Sequence, residues 1–497
     1  MSDIYIPGIR SRFDSEKMIE DLMRLERVPK DRIENNIEKL ETEKAYWQEV
    51  SRRTSSLRES ARQLFSFQNP FNYRIVTSSD DSVMTATSAR DINEQDISFT
   101  VRQLAQADRF LSNPLDEDFH VESGNYNFSI GKDEISFDFR GGTLRDFTEA
   151  LNRRSRDKLQ SSLIPVKSGT LSLLIESRVT GEENRLGFSG AALTLGEKTG
   201  MLALEQNDDP DAPLEFRPMN AVSTAKDAII SMEGIQIQRP LNEINDLIPG
   251  LTINVRDVSD RPVRLRVESD KETVKDMIIT MVGHYNRLMS EINVLTRNDS
   301  RIIDELILPS EEKAEYRKRL GAFSGDSTLL QMRNNLMGIV SAPYQNPADD
   351  SLSLLAHIGI STDARRTGGS DPSRLRGYLD IDEKALDTAI AARLPAIKQL
   401  FGSDSNGDLL VDTGVAHAID VLTRPYTEST GLFAIKAGTM DSKITQERRR
   451  IDTIDRQLAS KEADFRRQYS QMEGAYNRME QMSNSFNRFQ QQNGNNN

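Results

Sequence analysis

Residues 33–64 read IENNIEKLETEKAYWQEVSRRTSSLRESARQL, and residues 444–486 read ITQERRRIDTIDRQLASKEADFRRQYSQMEGAYNRMEQMSNSF. In the first stretch Ile33, Ile37, Leu40, Lys44, Trp47, Val50, Thr54, Leu57, Ala61 and Leu64 recur at steps of three and four, and one short step after Trp47 keeps the stripe on a single helical face. In the second, Ile444, Ile451, Ile454, Leu458, Lys461, Phe465, Tyr469, Met472, Tyr476, Met479 and Phe486 do the same, with Arg, Lys, Glu, Gln and Asp filling most other places. Neither helix can bury such a stripe alone. The partner is either the other terminus of the same chain or a neighbouring subunit, so the pattern points to an assembly protein and marks the seam as an oligomer or filament contact.

Between the two seams the period changes from helical to two. Ile97, Phe99 and Val101 alternate, as do Tyr126, Phe128 and Ile130, then Ile135, Phe137 and Phe139 across a turn at Gly131. Half-buried antiparallel strands alternate in this way. A short helix is expected from Thr143 to about Arg156, with further strands at Leu171–Ile175, Leu186–Phe188 and Leu193–Leu195. A second strand block follows at Ile235 and Ile237, Leu251 to Val255, and Val263 to Val267. Helical spacing returns from Val274 to Leu295, and helices dominate from there to the end.

Local signals place the boundaries. Asp14 or Ser15 offers an N-cap to an amphipathic turn carrying Met18, Ile19, Leu22, Met23 and Leu25. Pro29 is expected to interrupt that turn, with a fresh helix from Asp31 to Phe67 ended by Asn69 and Pro70. Asp208 to Pro213 reads as an acidic loop, and Gln490 to Asn497 as a polar tail with no reason to fold.

The fold class expected is therefore multidomain α+β: long helical, coiled-coil legs from both termini plus a helical domain, with two inserted antiparallel β-rich head domains. The expected division is 1–40 with 436–497 as a partly disordered leg, 41–70 with 270–435 as the helical domain, 71–108 with 222–269 as one head, and 109–221 as the outer head.

Composition narrows the function. At 497 residues there is room for several cores, while 37% apolar residues and a mean hydropathy of −0.56 imply a large surface. The 64 basic against 77 acidic residues leave a net charge of −13, which disfavours nucleic acid and anionic membrane. Arg448, Arg449 and Arg450 are flanked by Glu447 and Asp452 and read as a solvated helix face. No run approaches membrane-spanning length and no signal peptide is apparent at the N-terminus. With no cysteine, disulfide, iron-sulfur and thiolate chemistry are excluded.

Sites of chemistry were sought and set aside. Asp404, Asn406, Asp408 and Asp412 resemble a calcium loop, but an EF-hand in that register needs glycine and glutamate where Leu409 and Val415 stand, so the string is a turn. His120, His284, His357 and His417 are scattered without metal-ligand spacing. Gly141 with Gly142, and Gly368 with Gly369, lack phosphate-loop context and read as turns. The paired acids Asp80–Asp81, Glu182–Glu183 and Asp349–Asp350 sit in polar surroundings. No enzyme and no cofactor is expected.

Several colinear strings resemble the flagellar hook-associated protein 2 family. Pro7, Gly8, Ile9, Asp14, Leu22, Met23, Glu26 and Pro29 are similar to its opening segment, with Arg10, Arg12 and Phe13 where the family usually has glycine and leucine. Phe71, Asn72, Thr77, Ser78, Ser79, Val83, Ala86 and Thr87 lead to a strand ending Val101, Gln103, Leu104, Ala105, Gln106 and Ala107, which resembles a family hallmark. Thr143, Leu144, Asp146, Leu151 and Asn152 follow, then Ala225, Asp227, Ala228, Gly234, Ile235, Asn242, Ile244 and Gly250. Ile358, Gly359, Ile360, Gly377, Leu379, Ile381, Asp382 and finally Gly431 with Leu432 close the series. The resemblance implies a homo-oligomeric cap at the filament tip, holding flagellin as it folds and inserts, with flagellin and hook-filament junction proteins as partners. It further implies export by the flagellar type III route without a cleaved signal, a dedicated chaperone at the C-terminal region, and an extracellular or periplasmic filament. The competing readings are a surface adhesin acting through the heads between Ala107 and Thr224, and an intracellular coiled-coil scaffold.

Overall fold

The computed structural model describes residues 15–155, 157–205, 215–304, 306, 309–362 and 376–494. The opening arm with Pro7, Gly8 and Asp14, the acidic loop Asp208–Pro213, the Gly368–Gly369 turn and the last three residues lie outside them. The chain divides into two compact units, cut between Pro70 and Phe71 and between Asp270 and Lys271. Long terminal helices and several antiparallel sheets make it α+β.

In the helical unit, Ser15–Phe65 is one helix of 51 residues. The break expected at Pro29 does not occur. Proline forfeits one hydrogen bond, at about 3 kcal/mol in a helix interior, and the carbonyl it leaves free belongs to Leu25, which is 69% exposed and open to water. Buried Ile19 and Met23 before the proline and Leu40 after it hold both halves on the same partner. The helix stops two residues short of Phe67, and Asn69 Nδ2 donates to Ser66 O at 2.8 Å as the chain turns into Pro70–Asn72.

The second long helix, Lys271–Thr296, buries Val274, Ile278, Met281, Val282, Tyr285, Leu288, Ile292 and Leu295 along the expected stripe. Against it pack Ser310–Arg319, Ser327–Ser341 and Glu383–Phe401, while Val415–Thr427 packs chiefly on the N-terminal helix. Asp326 and Asp382 cap two of these, accepting from Leu329 N at 3.1 Å and Ala385 N at 3.2 Å. Glu383–Phe401 kinks at Arg393, two residues before Pro395. Leu432–Gly494 is the last helix, so the expected polar tail begins inside it.

The β unit holds two cores. In the first, Arg74–Ser78, Val263–Ser269, Gln95–Gln103, Ala228–Met232 and Ile235–Arg239 lie in that order as an antiparallel sheet. Met84–Ser88, Leu251–Val255 and Glu243–Ile244 form a second sheet. Strict alternation sends Ile97, Phe99, Val101, Val263, Leu265, Val267, Leu251, Ile253 and Val255 into one cluster.

The second core gathers Phe110, Tyr126, Phe128, Ile130, Phe147, Leu151, Leu173, Ile175, Leu186 and Leu195. Gly124–Ile130 and Asp133–Phe139 form a hairpin whose turn puts Gly131 at φ 56°, and Leu186–Gly190 pairs on its other side. Leu144–Arg154 is closed by a capping box in which the Thr143 hydroxyl and the Asp146 carboxylate exchange bonds with each other's backbone. Leu193–Leu195 is not a strand; it lies in the helix Ala191–Lys198. Ala192, Leu195, Gly196 and Thr199 are the buried positions, and that three-four spacing outweighs the alternation of two leucines. Asp108, buried where the chain crosses between the cores, accepts from Leu186 N at 2.6 Å and Ala225 N at 2.7 Å.

Candidate assembly surface

The two terminal helices run antiparallel, and their register is written in ion pairs. Lys44 meets Asp441 at 2.6 Å, Glu41 meets Arg448 at 2.7 Å, Asn36 meets Glu447 at 3.4 Å and Lys30 meets Asp455 at 2.7 Å. Glu26 meets Lys461, and the Ser15 hydroxyl donates to the Glu473 carboxylate. Progress toward the start of one helix goes with progress toward the end of the other, and the paired residue numbers sum to between 483 and 489 throughout. These pairs are partly exposed, so each stabilises by about 0.2–1 kcal/mol at most, and their larger effect is to select one register. Hydrogen bonding to Asp455 raises the Lys30 pKa against an opposing desolvation.

Between the ion pairs runs the apolar seam. Ile19 and Met23 pack on Leu458, with Ile454, Phe465 and Tyr469 partly covered beside them. Leu40 and Ile444 are buried, while Ile33, Ile37 and Ile451 are half-buried. An open groove of about 950 Å³ follows this pair, lined by Ile33, Ile454, Arg449 and Arg450 among others. Each seam thus finds a partner within its own chain over this length, and a neighbouring subunit is not required there.

The seam divides at its two ends. Trp47, Val50, Leu57 and Leu64 are at most 2% exposed, buried in the core of their own chain's helical bundle. Trp47 stacks on Phe323 at 4.6 Å, lies 5.8 Å from Phe433, and carries Lys436 Nζ 4.8 Å above its ring. At the other end Met472, Tyr476 and Met479 are exposed, and with them Met482 and Phe486. Met482 was legible as the next member of the same stripe. Ile19 and Met23 were visible as an amphipathic turn, but Pro29 cut them off from the seam in a reading by local rules.

A charged network locks the N-terminal helix into the bundle. Glu291, fully buried on Lys271–Thr296, accepts from Arg319 Nη1 at 2.9 Å and lies 3.4 Å from Arg53 Nε. Arg53 also reaches Glu49 at 2.6 Å, and Arg52 with Arg53 draws the Glu49 pKa down to about 2 against the opposing effect of burial. Asp420, nearly buried, joins Arg58 and Arg424, each at 2.7 Å.

The remaining sequence candidates fall apart in space. The Asp404 carboxylate accepts from the backbone N–H groups of Asn406, Gly407 and Leu409, and Asp412 accepts from Ser405, so the acidic string closes a loop on itself between Ser403 and Thr413. His417 packs edge-on against Phe65, His357 accepts from Ser353 N, and burial together with Arg287 lowers the His284 pKa. Among the described residues no group of three or more His, Asp or Glu could hold a metal ion, and no helix is long and apolar enough to cross a membrane.

This geometry defines a class: a multidomain α+β protein whose two ends build a single antiparallel helix pair below a helical bundle, with a β-rich insert in mid-sequence. Comparison with known proteins is consistent along the chain. Profiles described as flagellar hook-associated protein 2 N-terminus and C-terminus match residues 11–108 and 225–481. The protein of that name from Treponema maltophilum is 30% identical over 92% of this chain and 94% of its own length, and that from Treponema pallidum (strain Nichols) is 28% identical over 89% and 93%. The D1-D2-D3 domains of the flagellar cap protein FliD from Escherichia coli align with a TM-score of 0.56 at 21% identity, over 80% of this chain and 99% of theirs, a likeness of fold. The chain belongs to the flagellar hook-associated protein 2 family.

Proposed function

We propose that the chain is the structural cap of a bacterial flagellar filament: a homo-oligomer at the distal tip that promotes the folding and insertion of flagellin. Its parts are then a leg (1–40 with 436–497), a helical domain (41–70 with 270–435) and two heads (71–108 with 222–269, and 109–221). The legs meet flagellin or the hook-filament junction, and the heads cover the growing end. The chain reaches the outside, or the periplasm, by type III export without a cleaved signal, its C-terminal region held beforehand by a chaperone. No catalytic step is involved.

Family membership supports this reading, and one observation carries it. The apolar seam of the C-terminal helix outruns the described helix that covers it, leaving Met472, Tyr476, Met479, Met482 and Phe486 exposed at the end of the leg. An exposed apolar stripe of this kind marks a contact surface. Truncation after Gly474 removes most of it while sparing Leu458, Phe465 and Tyr469. The truncated protein is expected to remain folded, with native Trp47 fluorescence, and to support no filament growth, flagellin being shed into the medium. Filaments of ordinary length from such cells would overturn the cap assignment.

A further inference from the structure

We infer that Ile235–Arg239, the outer strand of the five-stranded sheet, pairs antiparallel with the same strand of a second copy of the chain, about a two-fold axis beside Ile237. The pairing belongs to the β unit alone and does not depend on the cap reading.

The hairpin decides which backbone groups face outward. Ala228–Met232 and Ile235–Arg239 are joined by Glu233 and Gly234, at φ 51° and 84°, a two-residue turn that puts Met232 opposite Ile235. In such a hairpin the pair flanking the turn exchanges hydrogen bonds, and every second pair after it does the same. Ile235, Ile237 and Arg239 therefore bond inward, while Gln236 and Gln238 turn their N–H and C=O groups away from the sheet. No described strand lies beyond them. Among the described residues nothing bonds to the Gln236 N–H, the Gln236 carbonyl or the Gln238 N–H, and the Gln238 carbonyl accepts from Arg239 Nη1 at 2.8 Å, which leaves it a second lone pair.

Other edges of the β unit are guarded. Asn152 takes both outward groups of Ser161 on Leu159–Lys167, at 2.8 and 2.7 Å, and Pro165 on the same side of that strand has no N–H to offer. Asp133–Phe139 carries Asp133, Glu134 and Asp138, and Arg154 donates to Ser136 O at 3.3 Å. Arg74–Ser78, at the opposite side of the same sheet, packs on Met84–Ser88, and its Arg74 carbonyl accepts from the Ser88 hydroxyl at 3.1 Å. Charge, proline and capping side chains keep an edge single. Ile235–Gln238 has none of them.

The strand also complements itself. Set antiparallel to its own copy about Ile237, each Gln236 exchanges main-chain bonds with Gln238 of the partner subunit. On the core-facing side Ile237, which already borders the first core, meets its symmetry mate, and Ile235, 64% exposed, comes under the alkyl stem of Arg239 of the partner subunit. Pro240 ends the ladder, because it has no N–H to continue it. The contact is isologous and closes at two chains, so it differs from any head-to-tail contact of a ring. It buries well under about 1,000 Å², which makes the association weak, on the order of 100 μM.

The chain contains no cysteine, so single cysteines report this pairing without background. Ile237→Cys would face itself across the axis with Cα atoms about 4.5 Å apart, within disulfide range, and is expected to give a covalent dimer under mild oxidation at about 100 μM protein. Ile235→Cys would stand about 14 Å from its mate and should yield roughly tenfold less. In the cysteine-free chain, sedimentation velocity should show a dimer that grows with concentration. Gln236→Pro removes one outward N–H and no bond of the hairpin, and should abolish that dimer with an unchanged circular dichroism spectrum. Equal yields from the two cysteines, no covalent dimer from Ile237→Cys, or a dimer population that Gln236→Pro leaves unchanged would each overturn the inference. Filament growth enters neither readout, so failure of the cap reading would leave the result standing.

Discussion

Removing the Glu291 carboxylate should strand two guanidinium groups. Glu291 is fully buried; Arg319 and Arg53 reach it from Ser310–Arg319 and from the N-terminal helix, with side chains 18% and 15% exposed. Deleting one partner of a buried ion pair costs about 3–5 kcal/mol, and because both arginines retain some access to water the lower end applies, about 3 kcal/mol. Glu49 still holds Arg53 in Glu291→Ala, and the rings of Tyr316 and Tyr46 lie 5.0 and 5.5 Å from the Arg319 guanidinium, so the helices should stay folded but loosen. Trp47 is the only tryptophan and sits in this unit, so its fluorescence during urea titration reports the helical unit without interference from the β unit. With a urea dependence of roughly 3 kcal/mol per M, the midpoint should fall by about 1 M. Glu291→Gln keeps an acceptor for Arg319 and should lose about half as much. A midpoint for Glu291→Ala within 0.2 M of the parent, at unchanged slope, would refute the claim that this network joins the N-terminal helix to the bundle; roughly 0.2 M corresponds to less than 1 kcal/mol on that slope.

Two further outcomes follow from individual residues. Because Arg52 and Arg53 hold the folded Glu49 pKa near 2, below its ordinary value of 4.5, folding gains stability that is complete above about pH 5 and is lost as pH falls through 4.5 toward 2. The Glu49 side chain keeps 23% of its surface exposed, so screening reduces the gain; Glu49→Gln should flatten part of the acid limb of a Trp47 stability-against-pH curve, and an unchanged limb would count against the argument. Gly414 begins Val415–Thr427 at φ 111°, and a Cβ there would stand 2.6 Å from the Phe401 carbonyl oxygen. Gly414→Ala should cost roughly 2 kcal/mol, read as a lowered urea midpoint in the same assay, and parent-like stability would show that the turn can relax.

The strands and most helices were legible because their signals are local. Ile97, Phe99 and Val101 alternate whatever lies opposite them, Val274 to Leu295 follows the helical period, and Thr143 with Asp146 forms a capping box within four residues. Local rules failed where packing had the larger energy. Pro29 should have ended a helix, yet Ile19 and Met23 bury against Leu458 on the far side of it, and the loss of one hydrogen bond at a solvent-facing carbonyl is smaller than the gain from that burial. Leu193 and Leu195 alternate like a strand, but Ala192, Leu195 and Gly196 needed a helical face to reach the core.

The seams show the same division. Periodicity determined which face of each terminal helix is apolar, and the composition determined that no disulfide or thiolate chemistry stabilises it. Which neighbour covers that face was decided only in three dimensions: the bundle takes Trp47, Val50, Leu57 and Leu64, the opposite terminus takes Leu458 and Ile444, and Met472 and Met479 stay exposed. A hydrophobic stripe carries no address, because burial is favourable against any complementary apolar surface, and the choice among them depends on register, tether length and charge that no single segment contains.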